Sequence, residues 1–215
     1  MSTSPGNRGL MGGGAFLISV LVGGAFVGHY PRGVEWIGGT HSMVVGAVAS
    51  ALLCGLLAAA LRRGLGWFGA ITWSGLLWWL TLIGLVTLVP LTGIELAVPA
   101  EARSSTCSLD YGGPAPDGFW IFSGTQRLLN TALFVPAGAL LVLAAARWRI
   151  GWVGAPLGLL LLGGYSLGIE LAQLEIARID RACDVTDVVD NVTGAAIGFG
   201  VGLLLTPVLR PWRRH

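Results

Sequence analysis

The sequence predicts an all-α polytopic integral membrane protein: one domain over residues 1–215, folded as a six-helix transmembrane bundle with both termini cytoplasmic (N-in/C-in). Three observations predict it. Apolar residues make up 54% of the chain and charged residues 11%, with mean hydropathy +0.75, whereas soluble domains carry about 25% charged residues. Six apolar stretches are each long enough for a hydrocarbon core about 30 Å thick, which takes about 20 helical residues. The thirteen basic residues are all arginine and cluster in alternate connections. A net charge of +2, so dispersed, does not fit a nucleic-acid partner.

The first stretch, Leu10–Gly28, resembles a signal peptide in having Arg8 before it and Ala25 near its end. A weakly basic start and no A-x-A site argue for a retained span; the alternative is five spans, with this segment cleaved or lying in the interface. Ser42–Leu61 and Phe68–Val89 follow, joined by the short turn Arg62–Gly66. Cys54 in mid-span reads as a small buried hydrophobe. Trp67, Trp73, Trp78 and Trp79 read as lipid-facing and interfacial bulk. The long connection Leu91–Arg127 contains Pro99, Pro114, Pro116, Gly112 and Gly113, which break regular structure. It is either an irregular surface cap or a lid over a binding site, with Trp120 and Phe122 as headgroup-level anchors. Leu128–Ala146 and Trp152–Leu171 are joined by the turn Arg147–Gly151, and Val188–Leu209 completes the set. Gly and Pro within these spans are compatible with membrane helices.

Charge placement sets the expected orientation. With the N-terminus inside, Arg8, Arg62, Arg63, Arg147, Arg149, Arg210, Arg213 and Arg214 are cytoplasmic and every carboxylate is external. The opposite orientation would translocate those clusters, against the positive-inside bias of short loops.

The polar stretch between the last two spans is where function is expected. It contains Glu170, Gln173, Arg178, Arg181, Asp184, Asp187 and Asn191, followed by Gly194, Gly198 and Gly202. At about 100° per residue, Gly163, Ser166, Glu170 and Gln173 share one helix face, and Asp187, Asn191, Gly194 and Gly198 share another. Glu170 lies about 28 Å above the inner turn, near the outer boundary, where a carboxylate costs less than at the bilayer centre. The four-residue glycine spacing predicts a close helix approach, placed here against Gly163 and Ser166 rather than in a homodimer seam. The oligomeric state is left open.

Two readings of this cluster compete. In one it is a latch: Arg178 and Arg181 pair with Asp184 and Asp187, Asn130 and Asn191 tie helix ends, and Asp184 or Asp187 caps the last helix. In the other, Glu170, Gln173, Asp187 and Asn191, with Asp184 and Asn130 beside them, form one outward-facing site that binds a headgroup, with Arg178 or Arg181 on a phosphate. Glu170 and Asp187 would then serve as acid and base, or bridge a divalent cation. No motif calls for a resident cofactor. His29, Glu35 and His41 lack metal-ligand spacing, so no metal site is expected. Cys107 and Cys183 both fall on the oxidising side in this orientation, where a disulfide between them is expected and two free thiols are the alternative.

The run Asn130-x-x-x-Phe134-x-Pro136-x-Gly138, followed by Glu170, Gln173, Asp184, Asp187, Asn191 and Gly194, resembles the VanZ-like family of bacterial membrane proteins over roughly residues 120–205. That family is named for a teicoplanin-resistance factor. The resemblance implies a multi-pass protein of the bacterial cytoplasmic membrane that lowers glycopeptide susceptibility. Its expected partners are membrane lipids and either a lipid-linked cell-wall precursor or the glycopeptide itself. The acid/base-capable cluster keeps a membrane enzyme acting on an isoprenoid or phospholipid headgroup as the alternative. A transporter or flippase ranks third, because no charged residue falls near mid-membrane.

Overall fold

A computed structural model describes residues 40–89, 106–109, 120–175, 183–209 and 211, all within the compact unit Gly38–His215. Four helices carry it: α1 (Thr40–Leu88), α2 (Trp120–Ala145), α3 (Gly151–Glu175) and α4 (Val185–Leu209). Each is long and apolar enough to cross a membrane.

Among the described residues the count is four and not six, for two reasons. The expected spans Ser42–Leu61 and Phe68–Val89 run on as a single helix, α1, broken only by a kink at Gly66, with φ 66° and ψ 169°. A side chain is strained in that backbone region and glycine is not. The helix folds back there: Trp78 Nε1 donates to the Ala47 carbonyl at 3.2 Å, and a Cβ on Gly46 would lie 3.1 Å from Leu85. In a straight helix Ala47 and Trp78 would stand about 46 Å apart. Residues 40–65 and 67–88 are therefore antiparallel arms. The other missing span, Leu10–Gly28, lies outside the described residues.

The remaining helices alternate in direction. The second arm of α1 runs against α2, with Trp79 Nε1 donating to Leu133 O at 2.7 Å. It runs alongside α3, where Tyr165 donates to Leu80 O and Gln173 to Thr87 O. These tryptophans thus tie helices together through their indole N–H groups, and only Trp67 matches the expected exposure, at 57%. Helix α2 begins at Trp120, eight residues before the expected Leu128.

The glycine row of α4 corrects another expectation. Gly194, Gly198 and Gly202 face the carbonyls of Thr131, Val135 and Ala139 on α2, so closely that any Cβ there would collide with backbone. Gly138 of α2 meets Ala195 O and Phe199 N in return. Matching four-residue steps on both helices make them parallel. The row does not pack on Gly163 and Ser166. The α3 seam is filled by side chains, Asn191 against Ser166 and Val192 near Gly163, which hold those backbones further apart.

The exterior is apolar, and a set of polar groups is buried alongside the hydrophobic core. Leu52, Leu56, Leu160 and Leu204 are 67–76% exposed, whereas Ser166, Glu170, Gln173, Asp190 and Asn191 are buried. That distribution suits a hydrocarbon solvent, where backbone polar groups are satisfied within each helix. At one end, Arg147 packs against Gly66 and Gly69, and Arg62 stacks over Trp67 at 5.1 Å.

Gly198→Ala should destabilise the protein by about 1–3 kcal/mol, since a helix backbone cannot yield as a side chain can. Gly200→Ala, which has open space, should be near neutral. Thermal unfolding in detergent compares the two, and equal midpoints would contradict the packing described.

Candidate functional site

The polar groups gather at the end opposite Arg62 and Arg147, where α3 finishes and α4 begins. Asp184 organises this end. Its carboxylate Oδ1 accepts the Thr186 N–H at 2.8 Å, and its carbonyl accepts the Asp187 N–H at 3.2 Å, so it caps α4. Its own N–H donates to Glu170 Oε2 at 3.2 Å. The cap therefore joins the start of α4 to the last turns of α3.

A piece of the long connection is fastened to the same spot. Cys107 and Cys183 are joined by a disulfide that links positions 76 residues apart. Beside it, Ser108 N–H donates to Cys183 O at 2.9 Å and Val185 N–H to Ser108 O at 3.0 Å, an isolated parallel bridge between Ser108 and Asp184. Two backbone bonds and a covalent link thus hold residues 106–109 over the cap.

Beneath the clamp runs a polar row along one face of α3, with Ser166, Glu170 and Gln173 each at most 2% exposed. Asn191 of α4 donates through Nδ2 to Ser166 Oγ at 2.9 Å. Gln173 donates through Nε2 to the Thr87 carbonyl at 3.0 Å, which fixes its orientation because a carbonyl can only accept. The other amide oxygens, Gln173 Oε1 and Asn191 Oδ1, are buried with no hydrogen-bond partner. Native proteins leave few such groups, each costing about 1–3 kcal/mol.

Not every expected residue joins the row. Glu170, Gln173, Asn191 and, through its backbone, Asp184 come together. Asp187 is half-buried in the first turn of α4, where its negative charge complements the helix dipole. Asn130 is half-buried on α2. Arg178 and Arg181, and with them the expected Arg–Asp latch, lie outside the described residues. Among the described residues, no group of three His, Cys, Asp or Glu side chains could hold a metal.

Sequence reasoning missed the ion pair. Arg127 on α2 grips Asp190 on α4, Nε to Oδ2 at 2.9 Å and Nη2 to Oδ1 at 3.1 Å, a bidentate fork. The Asp190 side chain is 9% exposed and that of Arg127 43%. The available signal was an acid directly before Asn191, inside an apolar run, with an arginine at the matching end of the preceding parallel span.

A family model described as VanZ/LLP1 matches residues 73–206, taking in the second arm of α1 and nearly all of α2 to α4. No curated protein and no solved structure matches.

Two outcomes are expected from this geometry. Arg127→Met, which strands the buried Asp190, should cost more stability than Asp190→Leu, which leaves an arginine able to reach solvent. The double variant should recover much of the loss, with a coupling of about 1–3 kcal/mol in a thermal or denaturant cycle. Peptide mapping without reductant, on protein alkylated in intact membranes, should find Cys107 linked to Cys183; two alkylated thiols would contradict the clamp.

Proposed function

Since the chain belongs to the VanZ/LLP1 family, we propose that its polar row is an outward-facing site for the headgroup of a lipid or lipid-linked cell-wall precursor. On this reading it is a multi-pass protein of the bacterial cytoplasmic membrane that lowers susceptibility to glycopeptides such as teicoplanin. Glu170 is the observation that carries the proposal. Capping α4 and holding residues 106–109 require Asp184, the disulfide and two backbone bonds. They do not require a carboxylate and two amides, all nearly fully buried, along the face below. Polar groups kept in such surroundings generally serve a ligand or a pathway.

Arg178 and Arg181 fall in the connection between α3 and α4, a suitable place for guanidinium groups that receive a phosphate. The clamp over the row supports the lid reading of the long connection, because a segment fastened at 106–109 can shield or admit a headgroup. Orientation follows from charge: the arginine-bearing turns 62–66 and 146–151 are cytoplasmic, so the clamped end faces outward, where a disulfide persists.

Glu170→Gln keeps the side chain's shape and an oxygen for the Asp184 N–H while removing the charge. The variant should express and fold, but lose the teicoplanin protection given by the wild-type chain in a susceptible host, together with headgroup binding in reconstituted bilayers. Unchanged protection and binding would leave the row a purely structural latch. Alkaline phosphatase fused at Gly66 should be inactive; activity there would reverse the orientation.

A further inference from the structure

Two side-chain atoms of the row are buried with no hydrogen-bond partner at all, and both are acceptors. Gln173 Oε1 and Asn191 Oδ1 are buried carbonyl oxygens without partners, while the amide nitrogens beside them each make one bond, to Thr87 O and Ser166 Oγ. On α3, Glu170 stands between Ser166 and Gln173 on one face, about one turn from each. The row spans about 10 Å along α3 from Ser166 to Gln173. A buried carboxylate in a row that also holds unpartnered amide oxygens disfavours a bare anion. It complements a group that brings N–H donors, and positive charge suits it best. For the other half of a zwitterion, the cation met next along α4 is Arg127 of α2, 43% exposed and held on Asp190, the residue before Asn191.

Resting on the headgroup-site reading above, we propose that the row recognises a primary ammonium group carried next to a phosphate, as in an aminoalkyl phosphate headgroup. Glu170, Gln173 Oε1 and Asn191 Oδ1 receive the ammonium protons, and Arg127 faces the phosphate. Recognition depends on N–H donors and not on charge alone. A trimethylammonium group has the same charge and nothing to donate, so the row should reject it.

The test uses the full chain and native mass spectrometry of protein released from mixed micelles of phosphatidylethanolamine, phosphatidylcholine and phosphatidylglycerol. Phosphatidylethanolamine should be retained at least about fivefold over each of the others, as expected for one or two added charge-assisted hydrogen bonds. Stepwise N-methylation of that lipid should lower retention at each step. Gln173→Leu with Asn191→Leu should abolish the preference; should that variant not fold, the methylation series on the wild-type chain decides the matter alone. Displacement by soluble phosphoethanolamine would assign recognition to the free headgroup, and no displacement would assign it to the intact lipid, with the ammonium chemistry upheld in both cases. Equal retention of the ethanolamine and choline lipids, lowered for both by Glu170→Gln, would overturn the ammonium proposal and leave the headgroup site standing. Retention indifferent to lipid and to Glu170→Gln would overturn both.

Discussion

The structure depends on how closely the backbones of α2 and α4 approach. At three successive turns, glycines 194, 198 and 202 lie against the carbonyls of Thr131, Val135 and Ala139, with no room for a side chain on α4. In a hydrocarbon solvent there is little hydrophobic drive between helices, so dispersion at short range and weak Cα–H···O contacts must supply the attraction. Such contacts fall away steeply with distance, which is why small residues recur here. The parallel pairing also sets the depth of everything above it. Arg127 and Asp190, about one turn beyond the first glycine contact, meet because their helices are in register.

Above that seam, each polar element is tied to the next. The disulfide positions Ser108 beside Asp184, Asp184 caps α4, and its N–H reaches Glu170 on α3. Glu170 shares its face with Ser166 and Gln173, and these lead to Asn191 and Thr87. The covalent bond, the cap and the buried carboxylate thus form a connected set joining α3, α4 and the long connection, with the Gln173–Thr87 and Asn191–Ser166 bonds on the same face beside it. In low dielectric such a network is rigid when satisfied and costly where it is not. The unmatched acceptors fall in the row beneath the clamp, where a ligand's donors would complete it.

Much of this was legible in the sequence, and what was not has identifiable causes. Apolar length and arginine placement foretell helices long enough to span a membrane, because both follow directly from the cost of exposing backbone or charge to lipid. The shared face of Ser166, Glu170 and Gln173 follows from helical periodicity, and a link between Cys107 and Cys183 from compartment chemistry. The reversal between Ser42–Leu61 and Phe68–Val89 was expected in Arg62–Gly66; that helix continues up to Gly66, where one glycine φ makes the turn, was not legible. The glycine row was paired with the wrong helix: periodicity tells which residues share a face and not which neighbour that face meets. Asn191 looks toward Ser166 while Gly194 and Gly198, only part of a turn around, look toward α2. Asp190 went unnoticed because its partner lies 63 positions away, and no local pattern signals such a pairing.

The central claim is that α4 rests backbone to backbone on α2 and thereby holds the polar row in place. Carbon–carbon correlation spectra by solid-state NMR, on selectively labelled protein in lipid bilayers, read it directly. The account predicts short-mixing cross-peaks from Gly198 Cα to the Val135 carbonyl carbon and from Gly194 Cα to that of Thr131. Absence of both, with Gly198 correlating instead to Gly163, would contradict it.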